Sequence, residues 1–178
     1  MKLSHLIFGL IICAGTLSAG TTHAYFTTKQ TVRTFNPDTE LFTITYHFGA
    51  TDKDFYLPIT ALRDTSNTSN KNLGYSIVDE SGKTSNIGST TALVLSHAQI
   101  KDGRYFVPAG TSSDFTLVTI LHRPPHTSTV PYRLLVTALP FTMNIRGTLY
   151  ENHLNPSELQ YYITPPLYRI TVSYTTTK

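Results

Sequence analysis

FVPAGTSSDFTLVTILH, residues Phe106 to His122, is the stretch on which the fold turns. It reads either as a loop carrying a nucleophile or as the lead-in to a strand. Val107, Pro108, Ala109 and Gly110 punctuate the chain, Thr111 to Asp114 form a polar approach, and FTLVTIL is apolar on both faces, as a central sandwich strand is. The catalytic alternative would use Ser112, Ser113, Asp114 and His122. A serine nucleophile needs a base within hydrogen-bond reach and an oxyanion site, commonly a G-x-S-x-G elbow between strand and helix. No such elbow is present. On one strand, Ser113 and His122 would also lie about 30 Å apart, so the stretch reads as a turn leading into a strand.

The same chemistry recurs on both sides: short segments rich in Thr, Val, Ile, Tyr and Phe, bounded by Gly, Pro, Asn, Asp or Ser. YFTTKQTVRTF is followed by the turn NPDT and then by ELFTITYHF, where Phe42, Ile44, Tyr46 and Phe48 share one face and Thr43, Thr45 and His47 the other. In FYLPI, Pro58 cannot donate to a ladder, which argues for an edge strand or a bulge. RDTSNTSNKN has nothing apolar to bury and reads as a loop. LGYSIVD, TTALVLSHA, VPYRLLVTAL and LYRITVSY are further strands, and Asp102-Gly103 suits the positive φ values of a tight turn. The one helical signal is LNPSELQYY: Asn155 as cap, Pro156 at the first helical position and Glu158 at capping-box spacing. These features imply one all-β domain over residues 25–178, an antiparallel immunoglobulin-like β-sandwich of about eight strands with at most one helical turn.

The pattern VPAGTSSDFTLVTIL resembles interior strands of bacterial immunoglobulin-like surface modules. The chain has no tryptophan and no cysteine pair, so the resemblance to antibody domains is architectural only. TTALVLSHAQIKDGRYFVPAGTSSDFTLVTIL, with LPFTM and LNPSELQYYITP, is similar to small exported proteins of Patescibacteria-type bacteria, over about Phe35 to Pro165. That resemblance implies an exported envelope protein and carries no catalytic residues.

Residues 1–24 read as a secretory leader: Lys2, an apolar run from Leu6 to Leu17, and small residues Thr22 and Ala24 before a cut that leaves Tyr25 first. The run is shorter than the about 20 residues a spanning helix needs, and no later segment is longer, so no membrane span is expected in the mature chain. Cys13, the single cysteine, lies inside the leader behind Ile11 and Ile12, which does not suit lipidation. A cysteine-free mature domain of about 150 residues is large enough to bury a core without disulfides. Charged residues make up 14% of the chain and its formal charge is +3, with the cations scattered singly. That argues against nucleic acid as a partner.

Other motifs give bland readings. SGKTS, from Ser81, ends like a phosphate loop but lacks the leading glycine and follows Asp79 and Glu80, so a hairpin turn is expected. His122 and His126 flank two prolines that forbid a metal-binding helix, and His47 and His97 stand apart, so no metal is expected. Asp52 and Asp54 lack the glycine turn and regular oxygen spacing of a calcium loop. Asn67-Thr68-Ser69 is a glycosylation sequon in a surface loop. No cofactor motif occurs. The best binding candidates are Tyr150, Tyr161, Tyr162 and Tyr168, since tyrosine offers contact area with a hydrogen-bonding tip. The expectation is therefore a secreted or envelope-associated binding or structural module without catalytic activity. Its partner is a protein or surface polymer, or a further copy joined by strand addition at the Pro58 strand or a terminal strand. A small exported enzyme with a loop-assembled site, or an exported chaperone or inhibitor, are the alternatives.

Overall fold

The computed structural model describes residues 26–36, 38–49, 51–63, 71–84, 88–123 and 130–167. The leader at 1–24, the sequon at 67–69, His126, and Tyr168 with the last expected strand lie outside the described residues. A four-stranded antiparallel sheet carries β1 (Phe26–Asn36), β2 (Thr39–Phe48), β9 (Ser113–His122) and β6 (Ser89–Ser96), in that order. A five-stranded antiparallel sheet runs β12 (Thr148–His153), β11 (Pro140–Ile145), β3 (Asp54–Leu57), β8 (Arg104–Val107) and β7 (Gln99–Lys101). A small third sheet orders β10 (Tyr132–Ala138), β5 (Leu73–Asp79) and β4 (Ala61–Arg63), with β4 parallel to β5.

Alternation drives the layering. In β2, Phe42, Ile44, Tyr46 and Phe48 are fully buried while Thr43, Thr45 and His47 stay half-exposed. β9 lies between β2 and β6 and buries Phe115, Leu117, Thr119 and Leu121. Its other face, with Val118 and Ile120, is only half-buried, so the strand is central in its sheet and covered on one side. Each fully buried large apolar side chain stabilises by about 1.5–3 kcal/mol. The facing layer comes from the two other sheets: Phe48 meets Phe55 at a ring-centroid distance of 4.5 Å, Tyr105 meets Phe115 at 5.5 Å, and the Tyr75 and Thr90 hydroxyls share a 2.9 Å hydrogen bond. The result is the expected all-β sandwich, antiparallel throughout its described ladders except for the β4–β5 pair.

Among the described residues the strands number twelve, because short hairpins divide the expected segments. Asp102 and Gly103 turn β7 into β8 at φ 52° and 69°, the geometry expected of that dipeptide, and Arg146-Gly147 makes the same turn between β11 and β12 at φ 52° and 85°. The expectation that Pro58 marks an edge does not hold. β3 ends at Leu57, one residue before the proline, and pairs on both sides with β11 and β8, so the missing N–H falls beyond the ladder. The helical turn is present as α1 (Pro156–Leu159), where the Glu158 carboxylate accepts the Asn155 backbone N–H at 2.7 Å. Beyond it the chain runs beside β10, with the Val136 N–H donating to the Tyr162 carbonyl and the Thr164 N–H to that of Leu134, both at 2.9 Å.

Candidate binding site

Because β3, β8 and β11 pair in register, the side chains facing away from the core form rows across the five-stranded sheet. Tyr56 stands opposite Phe106 on one side and Thr142 on the other. Its ring lies 5.1 Å from that of Phe106, and the Arg104 guanidinium stacks 4.8 Å above it. Lys101 covers Phe106 in the same way at 4.9 Å. Tyr56 is thereby 5% exposed although it points out of the sandwich. Arg104 also donates to the Thr142 hydroxyl at 2.8 Å, which leaves most of its donor fork uncommitted among the described residues.

Beside this ladder opens a groove of about 220 Å³. Tyr56, Pro58, Pro140 and Phe141 supply its apolar surface, Lys71 and Arg104 its cations, and Glu151, Asn152 and His153 of β12 its remaining polar wall. None of Lys71, Arg104 and Glu151 takes part in an ion pair among the described residues. Such a site offers directed hydrogen bonds and charge around an apolar floor, the usual composition of a ligand cleft. Of its two hydroxyl-bearing residues, Tyr56 and Thr142, the second accepts from Arg104.

Among the described residues, the tyrosines expected as a contact surface make no ring contact with one another. Tyr150 is 49% and Tyr161 36% exposed, on β12 and just past α1, and neither makes a ring contact among the described residues. Tyr162 is 3% exposed and belongs to the core, 6.3 Å from Tyr46. The alternation along the segment beside β10 turns it inward, which corrects its place in the expected surface. Tyr168 lies outside the described residues.

The other expected sites are equally specific. Ser113 and His122 are the first and last residues of β9, at opposite ends of the strand. Asp114 instead meets His47 across the strand pair, with Nδ1 to Oδ1 at 2.6 Å on an exposed face. Ser81 to Thr84, the described part of SGKTS, form the expected hairpin turn, with Gly82 at φ 81°. There the Asp79 carboxylate accepts the backbone N–H groups of Ser81 at 2.9 Å and Lys83 at 3.0 Å, taking the amides that a phosphate would need. Those bonds, with one from the Ser81 hydroxyl as the largest influence, hold the Asp79 pKa below its ordinary value. Asp52 pairs with Lys53 at 2.8 Å, and Asp54 accepts the Ala109 N–H at 2.9 Å. His97 falls in the bend between β6 and β7. Among the described residues no group of three or more His, Cys, Asp or Glu side chains could hold a metal ion.

Sequence reasoning missed Arg104, Lys71 and Glu151 as residues of one groove. The available signal was the alternation in RYFV, which sets Arg104 and Phe106 on the same outer face; the pairing with β3 and β11 is not written in any local pattern.

No protein-family model matches the chain, and no curated protein matches it. Among solved structures, the yeast GGA1_GAE domain is similar over 76% of this chain and 91% of that one, at 7% identity and a TM-score of 0.30, a likeness too distant to bear on function. No helix among the described residues is long and apolar enough to cross a membrane.

Proposed function

We propose that the protein is a secreted or cell-envelope-associated binding module, without catalytic activity, that holds a protein or surface-polymer partner against its five-stranded sheet. The observation that carries this reading is the groove beside Tyr56, with its stacked Arg104 and with Lys71 and Glu151 in no ion pair among the described residues. Side chains held by stacking and hydrogen bonds before a ligand arrives lose little entropy on binding. The leader read from residues 1–24 supports an extracytoplasmic location. The test is cross-linking of the tagged protein in its native cells, followed by mass spectrometry of the adducts and of the mature N-terminus. One recurring foreign partner and an N-terminus at Tyr25 support the proposal. A free monomer without adducts contradicts it and makes the enzyme, chaperone and inhibitor alternatives the next to assay.

Self-association by strand addition is a second mode, favoured by β6. That edge of the four-stranded sheet, STTALVLS, has no charge and no proline and leaves Leu93 57% and Leu95 51% exposed. Natural edges are usually blunted by lysine, proline or a bulge. Concentration-dependent sedimentation that Leu93→Lys abolishes would support this mode, and a monomer at all concentrations would remove it.

A further inference from the structure

The groove is lined by charges of both signs, with Glu151 the cross-strand neighbour of the Thr142 that Arg104 binds. Lys71 and Arg104 face it as cations and Glu151 as a carboxylate, yet no ion pair joins them among the described residues. Arg104 is fixed from behind, by the Tyr56 ring at 4.8 Å and the Thr142 hydroxyl at 2.8 Å, so its remaining donors are held in place for an incoming acceptor. Glu151 can only accept when ionised. A ligand that satisfies both signs brings an anionic oxygen group and, a short distance away, N–H donors. A densely charged polyanion fits poorly because its next charge meets Glu151. A neutral sugar brings nothing to balance the two cations. A polypeptide carries both groups within one or two residues, and Pro58, Pro140 and Phe141 offer apolar surface for its aliphatic parts.

We infer that this groove binds an acidic segment of a polypeptide, its carboxylate held by Arg104 and Lys71 and its N–H groups donating to Glu151. The inference rests on the binding-module reading and narrows the partner to a protein.

The test is a nuclear magnetic resonance titration of the isotope-labelled protein with acetyl-Gly-Glu-Gly-Glu-Gly-amide, its glutamine twin and dextran sulfate. The expected result is saturable movement of the Tyr56, Arg104, Thr142 and Glu151 amide signals with the glutamyl peptide. Binding should be about tenfold or more weaker for the glutamine twin and for the Arg104→Gln protein, the loss of one charge-assisted contact. Arg104→Gln should leave the signals of the four-stranded sheet in place, which separates lost binding from lost folding. Equal binding of the two peptides, or movement confined to the four-stranded sheet, would overturn the inference. So would dextran sulfate binding in the groove as tightly as the glutamyl peptide. Capture of a native protein partner through the groove without any binding of the glutamyl peptide would refute the acidic-ligand inference alone. Capture of a partner that tolerates every groove substitution would refute the groove itself.

Discussion

Tyr46 places a phenol at the centre of the sandwich, stacked on Phe115 at 5.4 Å, with no hydrogen-bond partner for its hydroxyl among the described residues. Burial, reinforced by Tyr162 and Tyr105 nearby, pushes its pKa far above the ordinary value. A raised acid stabilises the fold below its unfolded pKa, near about 10, and that contribution is lost as pH rises, because the unfolded chain then releases the proton more readily. Tyr46→Phe should therefore match the parent or exceed it by about 1 kcal/mol in denaturant unfolding at neutral pH, and flatten the alkaline limb above about pH 10. A clear loss at neutral pH would mean that the hydroxyl is satisfied. The opposite expectation holds for Arg123, whose guanidinium meets the Glu40 carboxylate at 2.6 Å and lies 4.5 Å from the Tyr132 ring, with both charged residues almost fully buried. Arg123→Met should cost about 3–5 kcal/mol by leaving the carboxylate buried, and adding Glu40→Met should recover most of it. An unfolding midpoint that the single change leaves unmoved would show the pair to be dispensable.

At the scale of the elements, hairpins carry the fold, and their turns differ in quality. Asp102-Gly103 is well suited to its left-handed geometry, whereas Arg146 adopts φ 52° with no glycine or asparagine advantage. Arg146→Asn should raise the thermal midpoint, by about 0.5–1 kcal/mol of stability, and a fall would show that the arginine makes a contact worth more than the strain. The Asp79 hairpin gives a pH signature of the reverse sign to Tyr46. Its carboxyl is depressed, so its stabilising effect is present above the ordinary value of 3.8 and is lost as pH falls through its lower, folded value. Amide exchange at Ser81 and Lys83 should accelerate below that range and become insensitive to it in Asp79→Asn. Unchanged exchange across the range would show that the carboxylate does not hold the turn. The elements legible in the sequence were those with a local cause: the alternation of ELFTITYHF, the Asp102-Gly103 turn, and the Asn155 to Glu158 capping box. Pro58 misled because a proline one residue past a strand reads the same as one within it. Tyr162 misled because adjacent tyrosines necessarily point to opposite sides of an extended chain, and only packing against β10 decides which side is the core.

Across the whole molecule, long-range pairing assembles what no linear motif contains. Glu40 and Arg123 stand 83 positions apart, and the groove collects residues from Tyr56 to His153. The two outer faces of the sandwich then differ in chemistry. The four-stranded sheet shows threonines and the exposed Leu93 and Leu95, while the five-stranded sheet shows stacked cations and aromatic rings beside a groove. The proposed binding module would engage its foreign partner on the second face. The direct measurement places a photo-reactive p-benzoylphenylalanine at His153, on the groove wall, or at Leu93, on the opposite layer, and irradiates the native cells. A foreign protein adduct that forms from position 153 and not from position 93 is the predicted result. Adducts from position 93 alone, or none from either, would contradict the account.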